Sequence, residues 1–256
     1  MNSNHGKIWL IGGTSDSVTI AETIAFHEFC SVVTVTTASA KKLYPIAPNL
    51  MIEVGQLDRQ GMRKLCHQKN ITAIIDASHP YAVNISQQVI NFSQEYCIPY
   101  LRYERPCLPI NSQVIQLDSF DTLINGDYLA EKRVLLTVGC NPLHLFKTWQ
   151  NRSILYARIL PKISSLEIGL KAGFSSDRLI ALRPPIIAEL EKALWQQWDI
   201  NLVITKASGE LGGEDIKSTV ATELGIPLII INRPKLIYPQ QTEQLSDIIK
   251  FCEQYC

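Results

Sequence analysis

Directly after the apolar run at residues 8–11 stands Gly12-Gly13-Thr14-Ser15-Asp16-Ser17, and an amphipathic stretch follows it. In a strand–turn–helix setting, glycines let a ligand approach the backbone closely. The free amides at the helix start then favour an anion such as a pyrophosphate. The spacing lacks the third glycine of G-x-G-x-x-G, so the alternative is a tight turn with Ser15 or Asp16 as N-cap. The next apolar run, 32–36, leads into Thr37-Ala38-Ser39-Ala40-Lys41-Lys42. A dinucleotide with a free ribose 2′-hydroxyl usually meets an acid near such a position. This segment has none; its hydroxyls and two lysines suit a 2′-phosphate, which favours NADPH over NADH. Ordinary solvated lysines are the alternative.

A third candidate is Asp76-Ala77-Ser78-His79-Pro80-Tyr81-Ala82, at the end of another apolar run. Pro80 biases His79 toward extended backbone. A histidine there can donate a hydrogen bond to cofactor or substrate, or handle a proton near neutral pH. Asp76 could orient it or cap the next helix, and a purely local turn network is the competing reading. The fourth is Thr205-Lys206-Ala207-Ser208-Gly209-Glu210-Leu211-Gly212-Gly213, with Lys217 beyond. No glycine precedes Lys217-Ser218, so the P-loop pattern and ATP chemistry are not indicated. Lys206 and Ser208 could instead grip carboxylates, against the alternative of a flexible loop with surface lysines.

These segments need a scaffold of short strands and helices. Buried strands are expected at 8–11, 32–36, 71–76, 100–103 and 114–117, and then at 134–138, 154–159, 179–182, 201–205 and 228–231. Helices are expected at 16–28, 58–69, 84–96, 120–131, 142–150, 186–197, 214–223 and 242–254, with Ser119 and Pro142 at two of the starts. Unbroken apolar strands alternating with helices indicate parallel sheets in an α/β fold, with ligands outside the carboxyl ends of the strands. Three features recur in order. Residues 98–106 and 226–234 share Ile-Pro, an extended run and Arg-Pro; 71–78 resembles 200–208; 7–12 resembles 133–139. Two similar halves follow, 1–130 and 131–256, expected to face each other across a cleft.

Composition narrows the class. Twenty-four basic residues balance 24 acidic ones, charged residues are 19 % and the hydrophobic set is 46 %. That excludes a disordered chain and argues against a general nucleic-acid binder. No apolar run approaches a membrane span. A soluble, cytoplasmic protein, monomeric or weakly dimeric, is expected. The seven cysteines form no CxxC pair, and most should act as small core hydrophobes. Cys252 and Cys256 could share a helix face, but no metal site is expected.

Taken together, the stretches Leu10-Ile-Gly-Gly-Thr-Ser15, Ile75-Asp-Ala-Ser-His-Pro-Tyr-Ala82, Ile98-Pro-Tyr-Leu-Arg-Tyr-Glu-Arg-Pro106, Thr205-Lys-Ala-Ser-Gly-Glu-Leu-Gly-Gly213 and Gly225-Ile-Pro-Leu-Ile-Ile-Ile-Asn-Arg-Pro234 resemble the precorrin-6A reductase family (CobK/CbiJ). The resemblance covers nearly the whole chain. It implies two Rossmann-like domains, NADPH as cofactor, and hydride transfer to C19 of a tetrapyrrole in cobalamin biosynthesis, with or without cobalt in the ring. The first domain would hold NADPH and the second the substrate. The cofactor-binding candidates read from these segments are Gly12, Gly13, Thr14, Ser15, Thr37, Lys41, Lys42, Asp76 and Ser78. The substrate set is His79, Tyr81, Lys206, Ser208 and Gly209, with His79 the catalytic candidate. The family often has glycine and arginine where this chain has Ala38-Ser39-Ala40-Lys41-Lys42, an aromatic where it has Cys107-Leu108, and Gln-Gly-Pro where it has Arg183-Pro184-Pro185. Candidate cations for the substrate's carboxylates are Arg102, Arg105, Arg183, Lys206, Lys217 and Arg233, with Arg105 and Arg233 open to a structural role in both halves. A reductase of a smaller substrate would instead use a Tyr-x-x-x-Lys pair, and a nucleotide-sensing module would bind without turnover.

The cofactor expectation is testable by titration. Charge-assisted contacts contribute about 1.5–3 kcal/mol each, so NADPH should bind at least about tenfold more tightly than NADH. The Lys41→Ala/Lys42→Ala protein should lose that preference; equal affinities in the wild type would refute it.

Overall fold

The computed structural model describes residues 6–106, 108 and 114–256. Along the chain, β1 (Lys7–Ile11), α1 (Ser15–Phe26), β2 (Ser31–Val35), α2 (Ala38–Lys41), β3 (Leu50–Val54), α3 (Arg59–Lys69), β4 (Ile71–Asp76), α4 (Val83–Glu95) and β5 (Tyr100–Tyr103) come first. Next are β6 (Val114–Leu117), α5 (Phe120–Asn125), β7 (Arg133–Leu136), a 3-10 helix (Asn141–Trp149), β8 (Ile154–Ile159), α6 (Ile163–Lys171) and β9 (Leu179–Ala181). The chain ends with α7 (Ala188–Gln197), β10 (Leu202–Lys206), α8 (Glu214–Leu224), β11 (Leu228–Ile231), β12 (Gln241–Thr242) and α9 (Leu245–Tyr255).

The strands form two six-stranded parallel sheets, ordered β12-β5-β4-β1-β2-β3 and β6-β11-β10-β7-β8-β9. The first follows the 3-2-1-4-5-6 order of the Rossmann architecture, and the second has the same arrangement except that its outer strand beside β11, β6, precedes the other five in the chain. Strand composition explains the layering. Ile8, Trp9 and Leu10 in β1, and Val134, Leu135 and Leu136 in β7, are fully buried. Apolar side chains on both faces of a strand need helices on both faces of the sheet. The ladders also align the halves. Ile74 pairs with Tyr100 and Val203 with Leu228, each two residues past the Ile of an Ile-Pro. Asp76 therefore answers Thr205, Ala77 answers Lys206, and His79 answers Ser208.

The expected boundary near residue 130 is corrected. The first unit ends at Pro106 and resumes over Lys235–Cys256, and the second holds the chain between. The sixth strand of each sheet comes from the far side of an Arg-Pro: β6 follows Pro106 but pairs with β11, and β12 follows Pro234 but pairs with β5. The reason is side-chain packing. Leu117 and Leu123 join the core of Leu136, Phe146 and Ile229. Ile248, Phe251 and Cys252 of α9 join the core of Ile20, Ile24 and Leu101. Thr72 Oγ1 also donates to the Tyr255 carbonyl, at 2.6 Å.

Other corrections are local. The helix after Ser119 stops at Asn125, and residues 141–149 form a 3-10 helix. Four elements had no clear sequence signal: β3, an edge strand carrying Glu53; α2, with four residues; α6, whose apolar residues include the exposed Ile163 and Leu170; and β12, two residues at the start of the stretch expected as the last helix, which begins only at Leu245. Cys97 is exposed and Cys252 is buried in the core, while Cys107 lies outside the described residues. Among the described residues no helix is long and apolar enough to cross a membrane.

The return of α9 makes the first sheet depend on the last helix. Ile248→Ala removes a fully buried side chain and should cost about 2–5 kcal/mol. Hydrogen exchange should show faster opening of the β1 and β4 amides. Unchanged protection there would refute the packing.

Candidate active site

At the carboxyl end of β1, Thr14 and not Ser15 or Asp16 is the N-cap of α1. Thr14 Oγ1 accepts the Ser17 amide at 3.1 Å, and Ser17 Oγ accepts the Thr14 amide at 3.0 Å. Thr14 Oγ1 also donates to the Ala77 carbonyl at 2.8 Å, tying the β1 loop to the β4 loop. The Gly13 amide reaches Tyr44 Oη at 2.8 Å and Ser17 Oγ at 3.1 Å, and the two hydroxyls lie 2.6 Å apart. Burial raises the Tyr44 pKa above the usual phenol value, although hydrogen bonds from Ser17 and Gly13 oppose the shift. Tyr44 needs Gly12: a Cβ on Gly12 would stand 2.3 Å from its hydroxyl and 2.9 Å from Val33 Cγ1. Gly13 has φ +106° and open space where its Cβ would be. Ser15 beside it is exposed. Asp16, in the first turn of α1, is buried against Arg105. That pairing removes an uncompensated negative charge from a helix start that would otherwise attract anions.

The segment after β2 is open to solvent. Thr37 caps α2 by accepting the Ala40 amide at 3.2 Å, and its hydroxyl lies 3.1 Å from that of Ser39. Thr37, Lys41 and Lys42 are exposed.

The β4 loop is held from below. Asp76 has 0 % exposure. Its Oδ1 accepts the Ser78 amide at 2.9 Å and Arg102 at 3.0 Å. Its Oδ2 accepts Ser86 Oγ at 2.7 Å and Tyr100 Oη at 2.8 Å. The expectation that Asp76 binds cofactor is therefore corrected: its carboxylate is spent on four internal donors. Ser78 is buried too, and its hydroxyl accepts from Arg102 at 3.1 Å, so its side chain faces inward. Burial raises the Tyr100 pKa far above normal, helped by the charge of Asp76. Burial works against the Arg102 cation, but the Asp76 and Glu104 carboxylates outweigh it and hold the pKa above its usual value.

On this base His79 is exposed. Its Nδ1 accepts the Tyr81 amide at 3.2 Å, and its carbonyl accepts the Ala82 amide at 2.7 Å. The rings of His79 and Tyr81 lie 5.8 Å apart. With Nδ1 acting as acceptor, the neutral imidazole carries its proton on Nε2.

In the second unit, Lys206 ends β10 and is half-buried, with its ammonium 6.0 Å from the Phe120 ring centroid. Burial pushes its pKa down to about 8, against the charge of Cys140, which favours the ammonium. Arg233 Nε donates to the Ala207 carbonyl at 2.9 Å, which shows the structural role of that arginine. Ser208 is buried, and Gly209 has φ +66°. Of the six candidate cations, Arg102, Arg105 and Lys217 are almost fully buried and engaged with groups of their own unit. Arg183 is exposed.

The structure thus gathers residues 12–15, 37–42 and 76–81 at the carboxyl edge of the first sheet, and Lys206, Ser208 and Gly209 at that of the second. Tyr44, Ser17, Ser86 and Tyr100 were not legible as site residues. Tyr44 follows β2 by nine residues, in a segment with no period to mark it. The Tyr-x-x-x-Lys spacing does occur, as Tyr128 and Lys132, but in a turn before β7, at the amino edge of the second sheet, opposite the loop after β10.

The profile of the precorrin-6x reductase family CbiJ/CobK matches residues 7–253. The chain belongs to this family. The cobalt-precorrin-6A reductase of Synechocystis sp. is 47 % identical over 97 % of this chain and 96 % of its own length. That of Priestia megaterium is 32 % identical over 94 % and 96 %. A solved structure of CobK precorrin-6A reductase superposes with a TM-score of 0.79 at 19 % identity, covering 98 % of this chain and 97 % of its own. That likeness establishes the shared fold.

A CbiJ/CobK reductase needs a nicotinamide cofactor, and the β1 loop fits one. Gly13 leaves its approach open, the α1 start faces it, and Asp16 is neutralised. Gly12→Ala should displace Tyr44 and weaken nucleotide binding by about tenfold, because overpacking of this kind costs about 1–3 kcal/mol. Adding Tyr44→Phe, which removes the nearest clashing atom, should restore part of the affinity in calorimetric titration. Full affinity in Gly12→Ala alone would sink the assignment of this loop.

Proposed function

We propose that the chain reduces cobalt-precorrin-6A with NADPH in cobalamin biosynthesis. The reading is carried by the 47 % identity to a cobalt-precorrin-6A reductase along almost the whole of both chains. When bound, the cofactor supplies the hydride. Gly12, Gly13, Thr14 and Ser15 receive its pyrophosphate at the start of α1, where the helix dipole favours negative charge, while the Gly12, Gly13 and Thr14 amides keep their internal partners and hold the loop's shape. Thr37, Lys41 and Lys42 meet the 2′-phosphate, since no acid stands in that segment to repel it. Asp76 and Ser78 support this loop from inside rather than touch the nucleotide, and so position His79 and Tyr81.

On the substrate side, His79 faces the tetrapyrrole with Nε2 and is the residue proposed to hand over the proton that accompanies the hydride: it first takes up a proton from solvent at Nδ1, giving up the Tyr81 amide, and the imidazolium then donates Nε2–H and returns to neutral imidazole. Tyr81 packs beside it. Lys206 meets a carboxylate of the macrocycle, with Ser208 and Gly209 shaping the same loop. Lys206 serves only while charged. Its pKa is about 8, so its contribution is complete well below that pH and is lost as pH rises through it.

Purified protein with NADPH and cobalt-precorrin-6A should lose nicotinamide absorbance and give a product two hydrogens heavier. Lys206→Ala should raise the tetrapyrrole KM several-fold and leave NADPH affinity nearly unchanged. The wild-type KM should climb above about pH 8, while in Lys206→Arg, which stays charged, it should remain flat. Absence of turnover on both the cobalt and metal-free substrates would overturn the function. Loss of NADPH binding in Lys206→Ala would overturn the assignment of roles to the two units.

A further inference from the structure

The loop after β10 is shaped from α8, by residues that point away from solvent. Lys217 is 2 % exposed, and its Nζ donates to the carbonyls of Gly212 at 2.8 Å and Gly213 at 2.7 Å. Glu214 is 6 % exposed, and its Oε2 accepts the Gly209 amide at 2.8 Å. Between these anchors the turn closes on itself, through Gly212 N–H to the Gly209 carbonyl at 3.0 Å and Gly213 N–H to the Glu210 carbonyl at 2.7 Å. The turn is also packed tightly. A Cβ on Gly212 would stand 2.0 Å from Ser208 Oγ, so any shift of the turn moves Ser208.

Burying an ammonium is costly, and a long apolar side chain would fill the same volume without that cost. Here burial, with Arg158 close by, pushes the Lys217 pKa down to about 8, while Glu191, Glu214 and Asp215 favour the cation. The α8 helix does not need the charge: both acceptors of Lys217 lie in the preceding turn. The corresponding loop of the first unit is fixed differently, by a strand aspartate and a strand arginine. Thr205 and Ile230 occupy those register positions in the second unit, so its loop must be held by another route.

We propose that Lys217 and Glu214 are positioning residues for the substrate, clamping the turn at residues 208–213 in the form that receives a carboxylate of the tetrapyrrole without touching it themselves. This rests on the assignment of the β10 loop to the substrate. The clamp can be tested separately from that assignment.

Lys217→Met, Glu214→Ala and Glu214→Gln should be compared with the wild type by hydrogen exchange of residues 207–213 and by steady-state kinetics. Loss of one charge-assisted hydrogen bond corresponds to about a tenfold effect or more. Lys217→Met and Glu214→Ala should therefore exchange about tenfold faster in the turn and show a tetrapyrrole KM about tenfold higher, with kcat and NADPH affinity within about twofold of wild type. Glu214→Gln keeps an oxygen acceptor for the Gly209 amide and should stay close to wild type in both readouts. A fall in kcat at unchanged KM would mean a smaller folded fraction and would overturn the proposal, as would unchanged exchange in the turn. If Lys217→Met does not fold, the Glu214 pair decides alone. A wild type that binds no tetrapyrrole overturns the substrate assignment, and this proposal with it, even where exchange shows the clamp itself intact.

Discussion

The ion pair between Asp76 and Arg102 is the constraint from which the first site follows. Both side chains are sealed from solvent, with 0 % and 1 % exposure. Removing either partner from a buried pair leaves an uncompensated charge and typically costs about 3–5 kcal/mol. The pair is not isolated. It spans the β4–β5 ladder, where the two residues are register partners. It also fixes the Ser78 amide and hydroxyl. The Tyr238 ring lies over the guanidinium, 5.3 Å from its carbon, and the Arg102 amide donates to the Gln240 carbonyl at 2.9 Å. The His79 loop, the fifth strand and the returning tail of the chain therefore depend on one buried charge pair.

Apart from the outer strand, the two sheets share a strand order, but they stiffen their ligand loops by different means. In the first, the support comes from strands, with Ser86 of α4 as the helical contribution. In the second it comes from a helix, through Glu214 and Lys217. The cations divide accordingly. Those buried in the framework have acceptors of their own and are not available to a substrate. Lys206 stands at the end of its strand, half-buried, and burial lowers its pKa. Its chemistry comes from incomplete shielding.

Much of this was legible in the chain because burial writes itself into composition. Residues 71–76, 100–103, 114–117, 154–159 and 228–231 are strands with the bounds their apolar runs suggest. Ser119 caps its helix as its position before an amphipathic run implies. β3 was not legible because one of its faces is open, and α6 because its apolar residues surround the helix. The partners of the sixth strands could not be read either. Val114-Ile115-Gln116-Leu117 has the pattern of any buried strand, and nothing in the pattern says which sheet will accept it. The roles of Asp76 and Ser78 failed for a related reason. Position at a strand end marks them as near a ligand, whereas only their contacts show that they face the interior.

The exchanged sixth strands also set an order of assembly. A ribosome delivers β1 to β5 first, yet the neighbour that covers the outer edge of β5, and the helix that closes the face beside Ile20 and Leu101, are the last segments made. The second sheet has no such wait: its sixth strand is already out when β11 emerges. The half encoded second is thus the first able to complete its hydrogen-bonded sheet. Through most of synthesis the nascent chain holds an open parallel edge at β5, the kind of edge that invites wrong partners. The Arg-Pro at each crossing suits this history, since a proline cannot donate to a ladder and so helps to end strand pairing where the chain must leave.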